Sequence, residues 1–379
     1  MYIEPFGVEQ WMNCWENHCE LNLAETCVDS LTVDELLAIT GSDWAAVADD
    51  LGAMKLTYGA ITGSEALRSA VAALYDRQGA DNVLITHGTI GANHLLYHAL
   101  VSAGDHVLSI TPTYQQHTAI PRALGAEVTE LPLREEHDWL PDLAALERAL
   151  RPDTRLIALT NPNNPTGALI EREGLERLAA LARERGAWLL CDEVYRGTEQ
   201  GERAPSIADL YERGISTGST SKAFSLAGLR LGWIVGPAEV LEAVEVHRDY
   251  NTISVSMVDD YLATLALRHA DRILARSREI VRRNLARLEA WVGAEPLASL
   301  VTPRAGTTAL VAIDAGLSSR ELCERLLRET GVLFTPGSAM GMEGYVRIGY
   351  ACATEDLDAG LARVSAWLRE CGTAAANNA

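Results

Sequence analysis

The feature that most constrains this chain is a rhythm in its first two thirds. Short apolar runs alternate with segments of helical periodicity. Val83-Leu84-Ile85, His106 to Ile110, Arg155 to Thr160, Trp188 to Cys191 and Ile215 to Thr217 are apolar runs too short for helices, bounded by Gly and Pro. Around them, Ser64 to Gln78 repeats Leu67, Ala70, Val71, Leu74 and Tyr75 at helical spacing behind Ser64 as N-cap. Ala92 to Ser102 and Glu171 to Arg185 read as further helices. Continuously apolar strands are buried on both faces, and strand–helix–strand order needs crossover connections. The pattern therefore predicts an α/β fold around a mostly parallel sheet. Ligands of such sheets sit beyond the carboxyl ends of the strands, so the residues just after each run matter most.

The last third reads differently. A helical stretch from about Met257 to Val292 precedes strand-like segments at Thr307 to Ile313, Val332 to Thr335 and Tyr345 to Ile348. Amphipathic helices are expected at Arg320 to Glu329 and Glu355 to Glu370. This is the pattern of a smaller α+β domain. The small, polar stretch Thr373 to Ala379 reads as a frayed tail.

Composition excludes several classes. Among 379 residues, 52 acidic against 32 basic side chains give a formal charge of −20, which argues against a nucleic-acid surface. No apolar run approaches the roughly 18 residues of a membrane span. Met1 to Gln10 has no basic stretch followed by an apolar one, so a signal peptide is not expected. The seven cysteines, Cys14, Cys19, Cys27, Cys191, Cys323, Cys352 and Cys371, form no CxxC pair. An odd, scattered set fits reduced thiols in a cytoplasmic protein, without a zinc site.

Four strand ends carry residues with chemical potential. In Cys191-Asp192-Glu193-Val194-Tyr195-Arg196 an apolar run ends in a carboxylate with a phenol three residues on. Burying that carboxylate is costly unless it meets a cation, such as a protonated ring nitrogen; capping of the following turn is the alternative. Ser219-Thr220-Ser221-Lys222-Ala223-Phe224, followed by Gly228-Leu229-Arg230-Leu231-Gly232-Trp233, offers hydroxyls and a guanidinium suited to a phosphate. Its lysine can attack an aldehyde once deprotonated in a dry site; a solvated polar loop is the bland reading. Asn161-Pro162-Asn163-Asn164-Pro165-Thr166-Gly167 is a rigid turn able to hold an amide in place, or simply a tight loop. In Thr86-His87-Gly88-Thr89-Ile90-Gly91-Ala92, N–H groups opening a helix favour an anion, although no Walker motif follows.

Together, in this order, these segments resemble the aspartate aminotransferase family of pyridoxal-phosphate enzymes, fold type I, aminotransferase class I/II. The resemblance adds Tyr58-Gly59 with Gly63 and Leu67-Arg68, Pro112-Thr113-Tyr114, and Tyr345-Val346-Arg347-Ile348-Gly349, and spans roughly residues 55 to 350. It implies a seven-stranded-type sheet flanked by helices in a large cofactor domain, 46–275. Residues 1–45 with 276–372 would form the smaller domain and an N-terminal cover, and 373–379 the tail.

The resemblance also implies roles. Lys222 joins the cofactor aldehyde and later moves the α-proton. Asp192 keeps the pyridine nitrogen protonated, Tyr195 and Asn164 bond the ring oxygen, and Tyr114 stacks on the ring. Ser219, Ser221, Arg230 and Gly88, Thr89 and Ile90 hold the phosphate. Tyr58 reaches the phosphate of a neighbouring subunit, implying a homodimer with active sites at the subunit interface. Arg347 binds the substrate carboxylate, and Asn164 also contacts the substrate. Ile90 and Gly91 stand where the family commonly has a small hydroxyl residue and an acidic residue, which leaves backbone contacts there. The segment from Trp11 to Thr26 lacks the generic aminotransferase motif; Glu25 and Thr26 are candidate substrate contacts, or a solvated cap before a helix at Thr32.

The implied activity is transfer of an amino group from an L-amino acid to a 2-oxo acid. The alternative is cyclisation, elimination or oxidation of an amino acid, as in capreomycidine synthase-like and arginine oxidase-like enzymes. Arg248-Asp249-Tyr250-Asn251-Thr252 resembles a segment of the cyclase group that also occurs in ordinary aminotransferases. A non-catalytic regulatory relative is disfavoured by the presence of both Lys222 and Asp192, and a serine hydrolase by the lack of a Gly-x-Ser-x-Gly elbow.

Overall fold

The computed structural model describes residues 2–376. Its centre is a seven-stranded sheet ordered Val83–His87, Leu231–Val235, Gly214–Ser219, Trp188–Asp192, Thr154–Thr160, His106–Thr111, Glu127–Pro132. Leu231–Val235 pairs antiparallel with both neighbours and the remaining pairs are parallel. Alternate side chains of each central strand feed opposite cores. Leu156, Ala158 and Leu190 pack with Leu95, Leu96 and Val244 on one face. Ile157, Leu159 and Leu189 pack with Leu175, Leu178 and Leu181 on the other. Helices Gly88–Leu100 and Ala238–Arg248 cover the first face, and Arg172–Arg185 the second. This double cover is why the strands read as unbroken apolar runs.

A second sheet of four antiparallel strands runs in the order Thr335–Pro336, Tyr345–Gly349, Thr308–Ile313, Ala298–Leu300. It shares a core with Val8, Trp11, Leu23 and Val28 from the N-terminus and with helices Ser319–Thr330 and Thr354–Ala376. The strand Leu21–Asn22 ties the N-terminal segment in by pairing with Val332–Leu333. Leu36, in helix Val33–Thr40, packs instead in a core of the large sheet, with Leu67, Phe224 and Ile273.

Several boundaries differ from the sequence reading for physical reasons. The Ser64-capped helix spans Glu65–Ala72 rather than reaching Gln78, because the N–H groups of Asp76 and Arg77 turn to the Asp209 carboxylate at 2.9 Å. The stretch from Met257 is two helices, Met257–Leu267 and Ala270–Ala294, broken where His269 leaves helical geometry. The helix expected from Ala92 begins at Gly88, directly after its strand. Two strands of the large sheet were not anticipated. Glu127–Pro132 lies at an edge with much of it exposed, and Leu231–Val235 sits inside what looked like a polar loop. Residues 373–376, expected to fray, continue the last helix, while 377–379 lie outside the described residues. Cys14, Cys19, Cys27, Cys191, Cys323 and Cys352 are free thiols. Among those residues no helix is long and apolar enough to cross a membrane, and no His/Cys/Asp/Glu cluster could hold a metal ion.

Candidate active site

A cavity of ≈ 440 Å³ opens beyond the carboxyl ends of the parallel strands, beneath the N-terminal helix Gly7–Trp15. Gly88, Thr89, Ile90, Tyr114, Asn164, Asp192, Tyr195, Ser219, Ser221, Lys222, Arg230, Arg347, Glu25 and Thr26 all line it. Tyr58 does not; it stands 76 % exposed on the surface.

Asp192 ends its strand and is buried. Its Oδ2 accepts from Asn93 Nδ2 at 3.0 Å and its Oδ1 from the Val194 N–H at 3.1 Å. Behind it, Thr217 Oγ1 donates to Asn93 Oδ1 at 3.0 Å. The His117 ring bonds Tyr97 through Nδ1 at 2.8 Å and presents Nε2 to Asp192 Oδ2 at 3.8 Å. This buried carboxylate is thus oriented from below, with no bonded cation of its own; His117 Nε2 has no hydrogen-bond partner. Such a carboxylate suits a cationic ring nitrogen.

Lys222 follows the strand Gly214–Ser219 in a loop pinned by Thr220 N–H to Leu231 O and Leu226 N–H to Thr220 O, both 3.0 Å. Its Nζ donates to Thr26 Oγ1 at 2.6 Å and lies 3.5 Å from Cys27 Sγ and 3.9 Å from Glu25 Oε1. Burial disfavours the ammonium, but Cys27, Tyr195 and Glu25 outweigh it and hold the amine above the ordinary lysine range. Burial pushes the Cys27 thiol up to about 11.

Gly88 has φ +66° and opens its helix beside Arg230, whose Nη2 would meet a Cβ there at 3.3 Å. Gly232 lets the neighbouring strand approach, since a Cβ would lie 2.3 Å from the Gly88 carbonyl carbon. Two glycines therefore hold the Gly88–Ile90 amides, the Ser219 and Ser221 hydroxyls and the Arg230 guanidinium around one space. Thr89 Oγ1 is buried there without a partner. This donor set, with an adjacent lysine and a buried acid, fits a phosphorylated pyridine aldehyde.

Arg347, 3 % exposed, donates to Asn164 Oδ1 at 3.4 Å, Ala24 O at 3.1 Å and Thr335 Oγ1 at 3.2 Å, and its Nε has no partner. Burial disfavours its charge, while Tyr195, Glu25 and Glu9 support it.

The sequence reading missed Asn93, His117, Cys27, Glu9 and Glu16. Asn93 follows the Gly88 motif by one helical turn, which was a usable signal. Glu9 had none. Its carboxylate accepts from Tyr114 OH at 2.6 Å, a contact set by where the first helix docks. That docking is fixed from two sides: Gly7 N–H donates to Gln115 Oε1 at 2.8 Å, and Trp11 Nε1 to Phe334 O at 2.9 Å.

Residues 41–364 match the family model described as aminotransferase class I and II. Capreomycidine synthase of Streptomyces vinaceus is 34 % identical over 363 residues, covering 94 % of this chain and 92 % of that protein. The crystal structure of a PLP-dependent aminotransferase from Streptococcus suis 89-1591 superposes with a TM-score of 0.95 at 42 % identity, covering 98 % of this chain and 99 % of the other. That of the PLP-dependent cyclase OrfR gives 0.90 at 30 % identity, covering 98 % of both chains. A match over most of the length, on a sheet whose strand ends converge as described, makes this chain a member of the aminotransferase class I and II family, a fold type I enzyme that depends on pyridoxal phosphate.

Proposed function

We propose that this enzyme moves the amino group of an L-amino acid to a 2-oxo acid at the cavity holding Lys222, Asp192 and Arg347. The observation that carries this reading is their convergence: a buried acid, an amine and a buried guanidinium, from three separate elements, line one space. When bound, pyridoxal phosphate supplies an electron sink for the charge left when a bond to the substrate α-carbon breaks. Asp192, oriented by Asn93, holds a proton at the ring nitrogen. Ser219, Ser221, Arg230, Thr89 and the Gly88–Ile90 amides hold the phosphate. Tyr195 and Asn164 would hydrogen-bond the ring oxygen, and Tyr114 would pack on the ring. Arg347 grips the substrate carboxylate with its planar fork and so sets which α-carbon bond faces the cofactor. Lys222 anchors the cofactor and serves as the base that moves the α-proton. Glu25 and Thr26 contact the substrate from the cover.

Residues 46–275 serve as the cofactor domain, and 1–45 with 276–372 as the smaller domain and cover. A cytoplasmic homodimer is the form we assign, with active sites at the subunit interface. The exposed apolar side chains Leu56, Tyr58, Tyr250 and Ile253 support a second copy there, and Tyr58 would then reach the partner's phosphate.

A second reading is cyclisation, elimination or oxidation of the amino acid. One observation favours it: the family model begins at residue 41, whereas the likeness to capreomycidine synthase covers 94 % of the chain and so reaches into the N-terminal cover. The test incubates the enzyme and pyridoxal phosphate with a panel of L-amino acids and 2-oxoglutarate. Glutamate formation supports transfer. A product without glutamate, or oxygen uptake, supports the second reading. Borohydride reduction should fix the cofactor to the Lys222 peptide, and label elsewhere would remove Lys222 from its role.

A further inference from the structure

We propose that Glu9 is a positioning residue for the cofactor: its carboxylate holds the Tyr114 ring ready for stacking, and so couples docking of the N-terminal helix to occupancy of the site. This rests on the pyridoxal-phosphate reading above and deepens it.

The argument starts from the Tyr114 hydroxyl. Stacking uses only the face of a ring, and a phenylalanine would serve it. Tyr114 carries a hydroxyl as well, and that hydroxyl donates to Glu9 Oε1 at 2.6 Å. Both side chains line the cavity. Burial, and then the Glu9 carboxylate, push the phenol up, so the phenol is the donor in this pair and the carboxylate the acceptor. Charge-assisted bonds of this length are the strong ones, and they fix a side chain in one rotamer. Tyr114 needs such a fixture. It stands in the loop between strand His106–Thr111 and helix Gln116–Ala123, with the cavity beside it.

Glu9 is itself held from both domains. On the large-sheet side Gly7 N–H donates to Gln115 Oε1 at 2.8 Å, and Gln115 Nε2 returns a bond to Pro5 O at 3.0 Å. The Phe6 ring centre lies 4.6 Å from that of Tyr114. On the small-sheet side Trp11 Nε1 donates to Phe334 O at 2.9 Å, and Gly7 sits so close to Ala339 that a Cβ would lie 2.7 Å from its carbonyl oxygen. The segment from Pro5 to Trp11 therefore spans the two domains, and Phe6, Gly7 and Glu9 all converge on Tyr114 and Gln115. Linkage makes the coupling reciprocal. If the docked helix readies Tyr114 for the cofactor ring, a bound ring must stabilise the docked helix by the same factor. Without the bond, the cofactor itself must order Tyr114, at a cost in affinity.

The test measures two quantities on the full chain. One is the pyridoxal-phosphate dissociation constant, read by visible absorbance. The other is hydrogen exchange of the amides in helix Gly7–Trp15, with and without the cofactor. The unmutated protein should exchange more slowly there when loaded. Glu9→Ala and Tyr114→Phe should each raise the dissociation constant about tenfold and remove most of that protection. The double variant should bind no worse than the weaker single one, and Glu9→Gln, which keeps an acceptor oxygen, should fall between Glu9→Ala and the unmutated protein. A Glu9 that only props up the fold would speed exchange equally with and without cofactor and leave the dissociation constant unchanged. That result overturns the proposal and leaves the pyridoxal-phosphate reading standing, as do single effects that simply add in the double variant. Failure of the unmutated protein to take up pyridoxal phosphate overturns both.

Discussion

Lys222 Nζ donates to Thr26 Oγ1 at 2.6 Å, joining the loop after a central strand to a segment 196 residues earlier in the chain. Thr26 Oγ1 and Cys27 Sγ are its hydrogen-bond partners, both from the N-terminal cover. The cover is therefore part of the machinery that positions the amine as well as a roof over it.

That contact has a pH signature through Glu25. Burial pushes its carboxyl up, but the Lys222 ammonium and the N–H groups of Thr26 and Cys27, bonded at 2.7 and 3.1 Å, outweigh this and hold it below the ordinary 4.5. A lowered carboxyl stabilises the fold above pH 4.5 and loses that contribution as pH falls through its folded value. Urea melts of the protein without added pyridoxal phosphate, from pH 7 to 3.5, should show part of the acid loss of stability missing in Glu25→Gln.

Arg347→Ala should raise the amino-acid KM. A charge-assisted hydrogen bond contributes about 1.5–3 kcal/mol, so roughly ten- to a hundredfold is expected. Arg347→Lys should recover only part of it, since an ammonium cannot reproduce the two-point fork. Steady-state kinetics decide; an unchanged KM removes Arg347 from the carboxylate site.

Asn93→Ala should weaken the grip on the cofactor without removing any group that touches the phosphate. Asp192 loses its Asn93 donor and keeps the Val194 N–H. Leaving such a buried carboxylate oxygen unpaired costs about 1–3 kcal/mol. The expected outcome is a rise in the pyridoxal-phosphate dissociation constant, read by fluorescence or absorbance, and a fall in kcat. Asp192→Asn should lower kcat about a hundredfold or more.

Gly349→Ala tests the cover from the opposite side. A Cβ at 349 would lie 1.7 Å from the Glu25 carbonyl oxygen, and Gly349 N–H also donates to Leu23 O at 2.7 Å. Backbone cannot yield as a side-chain tip can, so the Glu25–Cys27 segment must move. Calorimetry should show a loss of about 1–3 kcal/mol, the usual penalty of overpacking. The amino-acid KM should rise with it.

What could be read in advance follows from how far each signal reaches along the chain. The central strands announced themselves because both faces are buried, and Asp192, Ser219 and Lys222 lie at or just past strand ends, so local pattern placed them. The edge strand Glu127–Pro132 is half in water and carries Glu127 and Glu130, so its composition is that of a loop. Leu231–Val235 was hidden by Gly232, whose purpose appears only when Gly88 is seen against it. Glu9 and Glu16 were invisible for a related reason: their meaning depends on a helix docking more than 100 residues away in sequence, on Gln115 and Phe334.

The helix Ala270–Ala294 is about 37 Å long by its residue rise. Ile273 and Leu274 belong to the core of the large sheet, and Val281, Leu285 and Leu288 to the core of the small one. One rod is thus a structural member of two buildings. Swinging one core against the other must flex this spine between Leu274 and Ile280, where Ser277 sits buried against Ser225 and Arg276 clasps Asp29. Any opening of the cavity mouth is therefore geared to a few residues packed directly behind the Lys222 loop, and melting either core strips support from the other.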